Sequence, residues 1–123
     1  MAARKIVLSC DVPVRNILCT AIREYAHAAY PAGGSECAQV ARYTLLELAA
    51  EIDAGISEGQ TSVSISKRPR AMVRAALEYH FNRQDEADAA VSMQQRELFE
   101  SLLMGERVTR VELEAAVAAD RAV

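Results

Sequence analysis

The sequence predicts an α+β fold, predominantly helical, in the order β-α-α-β-α-α-α with two short strands and about five helices. Two segments, residues 5–12 and 61–66, alternate apolar and polar at the period of a half-buried strand. The remaining segments carry apolar stripes at i, i+3, i+4 and i+7, the signature of helices with one face on a core. Proline, glycine and capping residues punctuate these segments where chain reversals are expected.

In the first strand Ile6, Leu8, Cys10 and Val12 share one face, while Lys5, Val7, Ser9 and Asp11 share the other. Pro13 ends it. The first helix then shows Val14, Ile17, Leu18, Ala21, Ile22, Tyr25, Ala26 and Ala29, and stops at Tyr30-Pro31-Ala32-Gly33-Gly34. Ser35 caps a second helix whose stripe is Cys37, Val40, Ala41, Thr44, Leu45, Leu48 and Ile52, with Gly55 as its stop. Residues 55–60 form a turn-rich linker. The second strand follows, with Val63 and Ile65 inward and Ser62, Ser64 and Ser66 outward. Pro69 opens a third helix running to about Arg83, in which Met72, Val73, Ala76, Leu77 and His80 share one arc. A fourth starts near Asp85, turns Ala87, Ala90, Val91, Leu98 and Leu102 inward, and ends at Gly105. The fifth opens on the capping box Thr109-Arg-Val-Glu112, with Val108 and Leu113 spaced as a hydrophobic staple.

The 123 residues read as one compact domain, with residues 1–55 and 61–123 as its two sub-units. At 51% hydrophobic and 25% charged the chain can bury a core. It has no apolar run of transmembrane length and no signal-peptide hydrophobic region, so the expectation is a cytoplasmic protein without a membrane partner. Net charge is −3, distributed unevenly: −2 over residues 1–66, +4 over 67–84 and −5 over 85–123. An anionic partner would meet the middle of the chain.

No catalytic constellation is present. His27 and His80 lie on or beside apolar stripes, no serine or cysteine sits in a nucleophile elbow, and Gly33-Gly34 lacks the Lys-Ser/Thr of a phosphate-binding loop. The expectation is a non-enzyme with no cofactor and no metal. Cys10, Cys19 and Cys37 form no CxxC pair; with His27 they lack zinc-knuckle spacing, and each falls on an apolar face as a reduced core thiol would.

The strand Lys5-Ile-Val-Leu-Ser-Cys10, the helix from Val14, the turn Gly33-Gly-Ser-Glu36 and the helix Cys37 to Ile52 together resemble the ribbon-helix-helix family of dimeric DNA-binding repressors. The resemblance implies a homodimer whose paired strands lie in the major groove. It further implies that Lys5, Val7 and Ser9 face the bases and that the amides of Gly34 and Ser35 meet a backbone phosphate. A basic segment points independently to the same partner. Ser62, Ser64 and Ser66 run into Lys67, Arg68 and Arg70, with Arg74 one turn on, a grouping of hydroxyls and cations suited to phosphate contact. Arg4 adds to the charge of the first strand. The same cations could instead pair with the acidic fourth and fifth helices.

Two functions follow. The first is a small dimeric DNA-binding regulator using Arg4, Lys5, Ser9, Gly34, Ser35, Ser64, Lys67, Arg68, Arg70 and Arg74. The second is an acidic protein-interaction module, an inhibitor or adaptor of the phage or mobile-element kind, that binds a basic partner protein through its C-terminal helices.

Overall fold

A lone strand leaves its backbone donors and acceptors unpaired, so β1 (Lys5–Cys10) must find a neighbour. In the computed structural model, which describes residues 5–83 and 89–121, it finds two within its own chain. Strand β2 (Ser62–Ser66) pairs antiparallel to it, setting Lys5 opposite Ser66, Val7 opposite Ser64 and Ser9 opposite Ser62. A two-residue strand β3 (Arg107–Val108) runs parallel on its other side, with Ser9 opposite Arg107 and Cys10 opposite Val108. The sheet order is β2-β1-β3. Leu8, Cys10, Ile65 and Val108 point into the core, as the period-two reading of the strands requires.

The five helices are α1 (Val12–Ala29), α2 (Glu36–Gly55), α3 (Arg70–Asn82), α4 (Ala89–Leu103) and α5 (Arg110–Arg121). The fold is therefore α+β and mainly helical, in the predicted order except for the added β3. Its two residues between the Gly105 turn and the capping box are too few to show any period. Gly105 adopts φ +95°, the left-handed conformation that closes α4. At α5 the Thr109 amide donates to the Glu112 carboxylate at 3.2 Å, one arm of the expected capping box.

The first strand ends earlier than expected. Val12 begins α1 and does not extend the strand, because Asp11 is the helix N-cap and its Oδ1 accepts from the Val14 amide at 3.3 Å. Asp11 Oδ2 also accepts from the Arg110 amide at 2.8 Å. One carboxylate thus satisfies two helix N-termini and is not an outward-facing strand residue. At the far end of α2, Arg15 Nη1 donates to the Ile56 carbonyl at 2.7 Å while its guanidinium pairs with Asp53 at 3.3 Å. Gly55 lets β2 lie hard against α2, since a Cβ there would collide with the Val63 side chain.

One hydrophobic cluster joins both halves of the chain, running from Leu8, Leu18 and Ile22 through Leu45 and Ile52 to Val73, Phe99 and Leu102. Within it the Phe81 and Phe99 rings meet at a tilt of 48°, with centroids 5.8 Å apart. Phe99, Leu103 and Ile56 are buried although the expected stripes omit them. The expected α4 start near Asp85 and the inward positions at Ala87, Ala90 and Val91 lie outside the described residues and side chains. A second correction concerns α2, where only Leu45, Leu48, Ala49 and Ile52 are buried. Cys37 is exposed and Val40 is 65% exposed, so the N-terminal part of that stripe does not reach the core. Among the described residues no helix is long and apolar enough to cross a membrane.

Candidate functional site

Residues paired across a sheet project to the same side. The β1–β2 register therefore sets Lys5, Val7 and Ser9 beside Ser66, Ser64 and Ser62 on the face opposite the core. Lys5, Ser62 and Ser64 are exposed, Val7 is 50% exposed, and Ser9 and Ser66 are half-buried. Arg107, exposed and opposite Ser9, extends this face onto β3. Every one of these seven positions is neutral or basic. The sequence pointed to Lys5 and Ser9 through one segment and to Ser64 through another; the sheet makes them neighbours. Arg107 went unnoticed because nothing in the local pattern announces β3.

The chain leaves this face at Ser66, whose hydroxyl accepts from the Arg68 amide at 3.3 Å, and the Arg70 amide donates to the Lys67 carbonyl at 3.2 Å. This turn holds Lys67 and Arg68 at the end of β2, with Arg68 exposed. Among the described residues no carboxylate lies in ion-pair range of Lys5, Lys67 or Arg68. Arg74 differs: its Nε donates to both oxygens of Glu100 at 2.6 and 2.8 Å, tying α3 to α4. Arg70 Nη1 lies 3.8 Å from the Met104 sulfur, also toward α4. Of the basic segment, then, Lys67 and Arg68 stand by the ribbon and Arg74 is held by an acid of its own chain. Arg83 pairs with Glu24 at 3.3 Å and covers the Tyr79 ring. Arg4 lies outside the described residues.

At the start of α2 the Ser35 hydroxyl accepts from the Ala38 amide at 3.2 Å. With the Gln39 carboxamide oriented to satisfy its neighbours, its oxygen accepts from the Gly33 and Gly34 amides at 3.1 and 2.9 Å. The chain itself thus engages the Gly34 donor and the Ser35 side chain. Beside this helix end runs a groove of about 510 Å³, walled by α2 on one side and by Ser66, Arg68, Pro69 and Met72 on the other. A second groove, of about 350 Å³ and acidic, is lined by Gln94, Glu97, Leu98, Ser101 and Glu112.

Burial raises the Cys10 thiol to about 11, with Asp11 adding to the shift, and raises Cys19 to about 11 as well. Among the described residues no three His, Cys, Asp or Glu side chains gather as a metal ion would need. Comparison with known families, with curated proteins and with solved structures finds no match to this chain.

Proposed function

We propose that the protein is a non-enzymatic, DNA-binding regulator that lays the β1–β2 ribbon into the major groove. The observation that carries this reading is the register itself. It gathers Lys5, Ser9 and Ser64 on one uncovered face, with Lys67 and Arg68 at its end and Arg107 alongside. Duplex is favoured over single strands, because the seven outward residues include no aromatic ring on which an unpaired base could stack. Small hydroxyl side chains let a two-stranded ribbon enter a groove of major-groove width and reach base edges. Phosphate contacts fall to Lys5, Lys67, Arg68 and Arg107. Four such contacts give a log–log salt slope of about −3.6.

Fluorescence anisotropy on random-sequence duplex at two salt concentrations tests this. Wild type should bind at low salt and weaken on raising it, and K67E/R68E should lose affinity for all sequences with a flatter salt dependence. Ser9→Ala or Ser64→Ala should change sequence preference more than affinity. Absence of wild-type binding near about 50 mM salt would reject the reading. The acidic groove between α4 and α5 favours the alternative, an interaction module for a basic partner protein, and that outcome would promote it.

A further inference from the structure

The Cys10 amide donates to the Thr61 carbonyl at 3.0 Å, which fixes the phase of the β1–β2 ladder. Antiparallel pairs alternate between bonded and non-bonded, so Val63 and Ile65 turn their backbone groups toward β1, and Ser62, Ser64 and Ser66 turn theirs away. Strand β2 is outermost in the order β2-β1-β3, so the serine amides and carbonyls lie along its free edge. Among the described residues one hydrogen bond reaches them, from Gln60 Nε2 to the Ser62 carbonyl, long at 3.4 Å. The backbone groups of Ser64, an exposed residue, have none. Edge strands of monomers commonly carry a lysine, a proline or a bulge that bars a further strand. Ser62–Ser66 contains no lysine or proline, and its register with β1 runs unbroken.

We infer that the β2 edge is the docking site for a second copy of the chain, the two β2 strands pairing antiparallel about a two-fold axis at Ser64. The strand's own sequence selects this occupant. Ser-Val-Ser-Ile-Ser reads almost alike in both directions. A two-fold axis at Ser64 therefore sets Ser62 opposite Ser66, Val63 opposite Ile65 and Ser64 opposite itself, matching like with like on both faces. The outward backbone groups of the three serines then meet as hydrogen-bonded pairs, each exchanging both bonds. Charge fixes the direction. Lys67 and Arg68 follow the strand at one end, and a parallel partner would set them against their own copies. Antiparallel pairing sends them to opposite ends, about 20 Å apart. It uses the backbone alone and takes no side chain from the outward face. The pairing stands apart from the proposed function, but one consequence rests on it. Four strands side by side, β1-β2-β2-β1, span about 14 Å between outer axes, more than the roughly 12 Å of a major groove. Self-pairing and duplex binding then exclude each other.

The test begins with the full chain without nucleic acid. Sedimentation over a concentration series up to about 100 μM should rise from the 13.4 kDa chain mass toward twice that value. Ser64→Pro should weaken self-association by about tenfold or more with far-UV dichroism unchanged, because the Ser64 amide donates nothing to β1 and an edge strand tolerates proline there. In a Cys37→Ser background, Ser64→Cys should form an intermolecular disulfide under mild oxidation, its Cα atoms lying about 5.5 Å apart. Val7→Cys in the same background, about 14 Å from its copy, should not. A monomer throughout, a dimer indifferent to Ser64→Pro, or no cross-link at position 64 would overturn the pairing. A monomer would also pass the edge to an extended peptide of another protein. Added random-sequence duplex should return the dimer to monomers. A dimer that ignores duplex leaves the pairing intact and rejects the DNA reading; a monomer that binds duplex does the reverse.

Discussion

The three cysteines show how one residue type takes different chemistry from its surroundings. Cys10 and Cys19 are 0% and 1% exposed, and burial holds both thiols protonated up to about 11 against an ordinary 9.0. Cys37, in the first turn of α2, is exposed. A thiol reagent at neutral pH should therefore label one cysteine quickly and the other two only after unfolding. The linkage has a definite sign. In the unfolded chain these thiols ionise near 9.0 and in the folded chain near 11, so their contribution to stability is complete below 9.0 and is lost as pH rises toward 11. Cys10→Ala/Cys19→Ala should flatten the alkaline side of the stability profile in urea titrations. The sequence located all three cysteines on apolar stripes. It could not tell that the stripe bearing Cys37 outruns the core.

At the level of elements, hydropathy period found both long-range strands and all five helices, because each buries one face and must repeat at 2 or 3.6 residues to do so. Caps sharpened their starts at Ser35 and Thr109, where a side-chain oxygen accepts from a backbone amide. Asp11 was misassigned because a residue between a strand and a helix fits either pattern; only its bonds to the Val14 and Arg110 amides identify it as a double cap. Helix α2 carries the clearest contrast between pattern and packing. Leu45→Ala should cost about 2 to 5 kcal/mol, as should Leu18→Ala on α1, since both side chains are fully buried. Val40→Ala, on the same predicted stripe as Leu45, should fall within about 0.5 kcal/mol. Denaturant titrations of the three variants would separate the covered part of the stripe from the open part. Equal losses at Leu45 and Val40 would contradict the exposure seen at Val40.

For the whole molecule, the decisive features link residues far apart in the chain. The shared core makes the two halves one cooperative unit, so Leu45→Ala in the first half and Phe99→Ala in the second should lower the same single transition. Phe99→Ala should cost about 3 to 5 kcal/mol, and two separate melts would show that the halves fold independently. The candidate interface is a product of the same long-range order. Lys5 and Ser9 were legible on one strand and Ser64, Lys67 and Arg68 on or just after another, but the register across β1 and β2 made them one face and the β1–β3 pairing added Arg107. Arg74 shows the converse, since the structure pairs its Nε with both oxygens of Glu100, a contact to a distant acid that the spacing of the basic segment could not show. The sequence by itself determined what period, caps and charge encode: an α+β chain, mainly helical, with a polar strand face and a basic middle. Those properties are local, repeating within a few residues. The tertiary structure alone decided that β1 finds its partners within the chain, which cations keep clear of carboxylates, and where the α2 stripe loses its cover. Each of these depends on which distant segment arrives alongside, and pairing energy between segments leaves no periodic mark in either one.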